Sequence, residues 1–277
     1  MVIVAGLAVV GLIAGLVATR GDDGGARATS NAPQSAKVVR IIFPEGFTRA
    51  EMAARVDAVR DIARERRGLT TALTSDRYLA ATESSALPGR FAGDGRRRSL
   101  EGFLFPATYS FFSNESARSF VRRQLEAFDR TWAQVDLTYA RSKNLTRYDV
   151  LIIASMVEEE ISVPAERPLA AAVIYNRLRA RMPLGIDATL RYGLGIPPTE
   201  SITKADLASG SPYNTRRFRG LPPTPIANPG LASIEAAAHP AQVPYLYYAR
   251  RPGTTEHYFT ASAADFERFL RESGYTG

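Results

Sequence analysis

Three consecutive glutamates, Glu158, Glu159 and Glu160, end the run YDVLIIASMVEEE. An α-helix turns about 100° per residue, so Leu151, Ile152, Ile153, Met156 and Val157 fall on one apolar arc, with Glu160 close to its middle. Glu158 and Glu159 point away from that centre and read as solvated. A carboxyl group held against apolar neighbours resists ionisation, which lifts its pKa toward the range where it works as a general acid. The competing reading is structural, with Glu160 paired to Arg167 or Arg177. Other groups able to meet a polar substrate are Glu101 in LEGFLFPATY, Asn176 in ERPLAAAVIYNRLRARM, Asp187 and Thr189 in PLGIDATLRYGLG, and Tyr213, Asn214 and Asn228 in SPYNTRRFRGLPPTPIANPG. The last segment holds five prolines in twenty residues. It reads either as a purely structural loop or as a rigid groove wall, whose ring and amides suit sugar hydroxyls.

Those groups need elements to hold them. VVRIIF (38–43) is a β-branched strand, PEG turns the chain, and Thr48 with Glu51 forms a capping box for a helix carrying Met52, Ala53 and Val56 at helical spacing. A second helix is predicted over 76–82, and PGRFAGDGRRR (88–98) reads as a loop and a domain boundary. Further helices are predicted over 116–133 and from Thr146, which Asp149 helps to cap, and along the stripe Ala171, Ile174, Leu178 and Met182. The C-terminal part reads as a helix (231–238), the strands YLYYAR (245–250) and HYFTA (257–261) joined by RPGTTE, and a last helix (263–272). Helices and strands interleave irregularly, which predicts the α+β class.

Composition removes several function classes. With 277 residues and no cysteine, the chain is neither a disulfide-stapled domain nor a thiolate metal protein. His239 and His257 are its only histidines and no HExxH motif occurs, so no metal is expected. The net charge of +7 is almost wholly arginine, the lysines being Lys37, Lys143 and Lys204. Arginine clusters at 64–67, 96–98 and 216–219 come without any nucleic-acid-binding signature and read as a basic surface suited to anionic lipid or an anionic wall polymer. Residues 1–19 contain no charged side chain and are long enough for a membrane-spanning anchor; a cleaved signal peptide is the rival reading. Residues 20–36, rich in Gly, Asp, Ser and Asn, read as a flexible linker.

The motifs LEGFLFPATY, ASMVEEE, ERPLAAAVIYNRL, MPLGIDATLRYGL, SPYNTRRFRGLPPTPIANPG and AAAHPAQVPYLYYA stand in an order and spacing that resemble the endolytic murein transglycosylases, the YceG-like family. The resemblance covers about residues 37–271. It implies a single-pass membrane protein whose catalytic domain lies outside the cytoplasm. That domain would cut nascent peptidoglycan strands internally, between N-acetylmuramic acid and N-acetylglucosamine, leaving 1,6-anhydromuramic ends. The family's catalytic carboxylate, the second Glu of its E-x-E pair, corresponds to Glu160. By motif position, Glu158, Asp187, Thr189 and Glu101 become supporting or structural residues, and Asn176, Tyr213, Asn214 and Asn228 become glycan contacts. The implied organisation is an anchor (1–19), a linker (20–36), a small LysM-like subdomain (37–97) and a mixed α+β catalytic domain (98–277).

Peptidoglycan strands and the cell membrane are the implied partners, with a penicillin-binding wall synthase as a further one; no cofactor and no nucleic acid are expected. The sequence departs from the family pattern at Ala107, Gly185, Ile186, Arg216 and Thr224, and carries one recognisable LysM-like unit, around FPEGFTRAEMAARV, where the family often has two. Two other classes are weighed. A pyridoxal-phosphate lyase needs a Schiff-base lysine, but Lys143 and Lys204 lie in polar segments without a phosphate-cradling glycine loop and Lys37 beside the linker. A non-catalytic peptidoglycan-binding scaffold of the same fold would keep the groove for affinity alone.

Overall fold

In a computed structural model of the chain, which describes residues 37–94 and 98–275, alternating burial in VVRII forms strand β1 (Val38–Ile42). Val39 and Ile41 face inward, and each is paired across an antiparallel ladder with an inward aromatic of β2 (Thr108–Phe112), Phe111 and Tyr109 respectively. Between the strands run α1 (Arg49–Arg67) and α2 (Ser75–Ser84). Both halves of the Thr48/Glu51 capping box form, and Gly68 ends α1 in the left-handed region. Phe43, Tyr78, Tyr109 and Phe111 close around Phe120 with ring centroids 5.5 to 6.3 Å apart. This strand, helix, helix, strand unit therefore draws on residues from both sides of position 98.

The remaining described elements are α3 (Ala117–Trp132), α4 (Thr138–Ser142), α5 (Arg147–Glu160), α6 (Arg167–Arg179), α7 (Asp187–Leu194), α8 (Lys204–Leu207), α9 (Leu231–Ala238), the hairpin β3 (Tyr247–Arg250) and β4 (His257–Thr260), and α10 (Ala263–Glu272). The class is mixed α+β, with two separate two-stranded sheets among the described residues. The expected anchor and linker lie outside the described residues; among those, no helix is long and apolar enough to cross a membrane.

Helix α5 is the core of the fold. The expectation of a single apolar arc is corrected here, because Tyr148 and every residue from Val150 to Val157 are buried, as befits a helix that is apolar all round. It is enclosed by α6, α7 and α9. Ser155, within this apolar run, donates to the Ile152 carbonyl at 2.7 Å and accepts the Ile226 N–H at 3.0 Å, so the proline-rich loop is pinned to the helix that ends in Glu160.

Gly102, next to Glu101, has φ +87°, and an added Cβ would lie 2.7 Å from Cβ and Cγ of Pro225. Left-handed backbone and backbone-fixed overlap both penalise a side chain, so Gly102→Ala is expected to cost about 2–4 kcal/mol of stability. Urea melts test this, and a midpoint equal to wild type would refute it.

Candidate active site

Glu160 is the last residue of α5; the chain leaves the helix at Ile161. Its Oε2 accepts a hydrogen bond from the Tyr248 hydroxyl at 3.1 Å, and the carboxyl also accepts the backbone N–H of Ala188 at the start of α7. Burial pushes its pKa up and the Asp187 carboxylate adds to the rise, while Tyr248, the Ala188 N–H and His257 pull the other way without cancelling it. The carboxyl thus holds a proton at pH values where an exposed glutamate has lost it.

The ion pair weighed as the alternative for Glu160 is made by its neighbour. Arg167 Nη2 lies 3.2 Å from Glu158 Oε1, whose side chain is only 6% exposed, and the Gly230 N–H donates to Glu158 Oε2 at 2.9 Å. Arg177 donates to the carbonyls of Leu246 and Leu184, both at 2.6 Å. Glu158 is therefore not solvated as expected: it ties α5 to the start of α9, and among the described residues no arginine forms an ion pair with Glu160, although the charge of Arg216 is felt there. Glu159 does reach solvent, but within a recess, and its carboxyl is pushed up to about 8 by burial among groove atoms and by repulsion from Glu51, Glu158, Glu160 and Glu101.

That recess is a groove of about 830 Å³ whose walls include Glu101, Glu159, Glu160, Asp187, Tyr192 and Arg250, with Pro197 and Pro198 at one side. Asp187 opens α7 and pairs with Arg216 Nε at 2.6 Å, both side chains nearly half exposed. Such a pair adds only about 0–1 kcal/mol to stability, so its consequence is local: it holds a cation beside a carboxylate that repels Glu160. Glu101 is buried at 3% exposure; its Oε1 accepts the Arg49 N–H (2.9 Å) and Asn228 Nδ2 (2.8 Å), and its Oε2 accepts the Tyr192 hydroxyl (3.1 Å). Burial pushes it up to about 7 despite three donors.

Four of the expected glycan-contact or supporting residues face inward instead. Asn214 and Asn228 have no exposed surface: Asn214 Nδ2 donates to Leu207 and Ser209 carbonyls, and Asn228 Nδ2 to the Phe47 carbonyl and Glu101. Thr189, equally enclosed, bonds the Ile186 carbonyl and Thr215 and so clamps the first turn of α7. Asn176 donates both amide hydrogens to the carbonyls of Val243 and Tyr245, at 2.9 Å each, and borders a different cavity, about 390 Å³, whose lining holds no carboxylate. These amides are spent on backbone because loops without regular structure must satisfy their polar groups somehow. Tyr213 packs tilted against Tyr192, ring centroids 5.3 Å apart, and hydrogen-bonds Thr224. Gly193 permits this, since a Cβ there would fall 2.4 Å from Cβ of Tyr213.

Sequence reasoning missed Glu159, Arg216, Tyr248 and the pair Glu166–His257. Glu166 Oε2 meets His257 Nδ1 at 2.7 Å and its Oε1 accepts the His257 backbone N–H at 2.9 Å. The only hint was YLYYAR, three tyrosines in a predicted strand with nothing to say which of them faces a helix end 88 positions away.

The chain is 38% identical over 149 residues to the endolytic murein transglycosylase of Bacillus subtilis (strain 168), a match covering 54% of this chain and 41% of that protein. It is 30% identical over 258 residues to the endolytic murein transglycosylase of Streptococcus pneumoniae (strain D39), covering 87% of this chain and 45% of that one. The chain thus spans less than half the length of these curated relatives. The crystal structure of a YceG-like protein from Listeria monocytogenes superposes with a TM-score of 0.68 at 28% identity, covering 83% of this chain and 75% of that one. The model of the YceG-like family matches residues 25–272, and the chain belongs to that family.

Proposed function

We propose that this chain is an endolytic peptidoglycan lytic transglycosylase with Glu160 as its acid and base. The observation that carries the reading is the Glu160 carboxyl at the end of α5, its pKa raised and its Oε2 held by the Tyr248 hydroxyl, at the wall of a groove of about 830 Å³. Protonated Glu160 gives its proton to the glycosidic oxygen between N-acetylmuramic acid and N-acetylglucosamine, and that C–O bond breaks as positive charge builds at the anomeric carbon. Glu160, now a carboxylate, takes the proton of the muramoyl C6 hydroxyl, whose oxygen bonds to the anomeric carbon and closes the 1,6-anhydro ring. No water enters the product. The substrate's own acetamido group stabilises the cation, which relaxes the usual need for a second catalytic carboxylate. The Asp187 carboxylate on the groove wall contributes negative charge near the developing cation.

On this reading the catalytic domain works outside the cytoplasm, held to the cell membrane by residues 1–19 through the linker 20–36, and meets strands emerging from a wall synthase. The strand, helix, helix, strand unit containing FPEGFTRAEMAARV is the LysM-like part and includes β2. Mass spectrometry of products from uncrosslinked strands tests the reaction. Internal fragments with anhydromuramic ends are expected; reducing ends would assign a hydrolase, and binding without cleavage would favour the scaffold.

A further inference from the structure

The hairpin of β3 and β4 brings a hydrogen-bonding side chain to the end of α5. Tyr248 hydrogen-bonds Glu160 Oε2 at 3.1 Å, its ring stacked on Phe259 (5.7 Å) and edge-on to His257 (5.7 Å). Two independent anchors hold the hairpin there. Asn176 and Arg177 of α6 grip the carbonyls of Val243, Tyr245 and Leu246 just before β3, and Glu166 grips the backbone and ring of His257 at the start of β4. A phenol fixed at its ring and its backbone cannot swing away, so its hydroxyl presents a constant donor to one oxygen of the carboxyl.

We infer that Tyr248 is the positioning residue for Glu160: it occupies Oε2, so the transferable proton rides on Oε1, and it steadies the carboxylate left after that proton is given up. This rests on the assignment of Glu160 as acid and base. The bond is neutral while Glu160 is protonated and charge-assisted once it is ionised, and charge-assisted bonds are about twice as strong. Tyr248 therefore favours the state reached by proton donation over the resting state, which is differential stabilisation of the kind that raises kcat. It also gives Asn176, Arg177 and Glu166 a common purpose, since each fixes the hairpin that delivers the hydroxyl.

The test is Tyr248→Phe in the full chain, which keeps the ring and its stacking. Expected is a fall in kcat of about ten- to hundredfold with KM within about threefold, because only an interaction that strengthens in the transition state is lost. A merely structural tyrosine would not move the ionisation of Glu160. Removing the donor should shift its titration, read by NMR of ¹³Cδ-labelled glutamate, upward by about half a unit to one unit. The groups facing Glu160 are otherwise unchanged: His257 on β4, Asp187 with Arg216, Glu159 on α5 itself, and Arg177 behind Tyr248. 3-Fluorotyrosine at position 248, a stronger donor in the same place, should shift the titration downward. Unchanged kcat with an unmoved titration in Tyr248→Phe would overturn the inference, as would a fluorotyrosine shift of the wrong sign. The NMR readout needs no turnover, so a wild-type chain that produces no anhydro ends would refute the assigned reaction while leaving the positioning claim separately decided.

Discussion

Glu160→Gln is expected to abolish anhydromuramic products, with kcat reduced about a thousandfold or more, because one carboxyl both donates and accepts the proton that moves. The amide is close in shape and can still accept the Tyr248 hydroxyl, so binding of glycan strands should persist. Stability should behave in the opposite way. A carboxyl whose pKa is raised on folding favours the folded state fully only below its ordinary pKa, and that contribution is lost as pH rises toward the folded value. The glutamine variant carries no such loss. Its thermal midpoint should therefore match or exceed wild type at neutral pH, with the gap narrowing near pH 4. Retention of more than a tenth of wild-type turnover would remove Glu160 from the mechanism, and a uniformly lower midpoint would show that the activity loss reflects misfolding.

The stability of that variant matters because the site is assembled from groups that resist one another. Glu101, Glu159, Glu160 and Asp187 border one groove, and burial or mutual repulsion raises the pKa of the first three. Clusters of perturbed acids are found where function requires them rather than where stability does. The fold compensates with backbone and amide donors: Ala188 N–H for Glu160, Arg49 N–H and Asn228 for Glu101, Gly230 N–H for Glu158. The asparagines expected to meet sugar meet loop backbone instead.

Local chemistry was legible in the sequence wherever one stretch of chain decides the outcome. Thr48 with Glu51 and Thr146 with Asp149 form the capping boxes their spacing predicts, and the helix 263–272 appears with the bounds read for it. Helical rotation directed attention to Glu160, but the one-sided arc it assumed is absent: α5 is buried all round and Glu158 is enclosed too. What lay beyond reach was every relation across distance. Periodicity could not say that Arg167 serves Glu158, 9 positions back, nor that Tyr248 serves Glu160, 88 positions away. Motif position gave Asn176, Asn214 and Asn228 as glycan contacts, and nothing local to them showed that their amides donate to backbone carbonyls. Arg216, a departure from the family pattern, gained its meaning only when the fold brought it to Asp187.

Glu101 is where those long-range relations converge, and its removal should have the largest effect on stability. It joins α1 through the Arg49 N–H, the IANPG loop through Asn228 and α7 through Tyr192. Glu101→Ala leaves two buried N–H donors and a hydroxyl short of an acceptor and opens a cavity, which together are expected to cost about 3–5 kcal/mol. Glu101→Gln should separate structure from charge. Its carbonyl oxygen still accepts from Arg49 and Asn228, and its amide donates to a Tyr192 hydroxyl that has turned round, as protonated Glu101 would. Because the wild-type carboxyl is pushed up to about 7, its contribution to folding is full below the usual range near 4.5 and drains away between there and 7. From pH 4.5 to 7.5 glutamine should therefore gain about 2–3 kcal/mol on wild type, measured by urea denaturation at both ends. An alanine variant as stable as wild type would mean that the groove walls are held elsewhere. A glutamine variant with no pH-dependent gain would mean that Glu101 is ionised in the folded protein, and its three donors would then be neutralising a charge rather than orienting an acid.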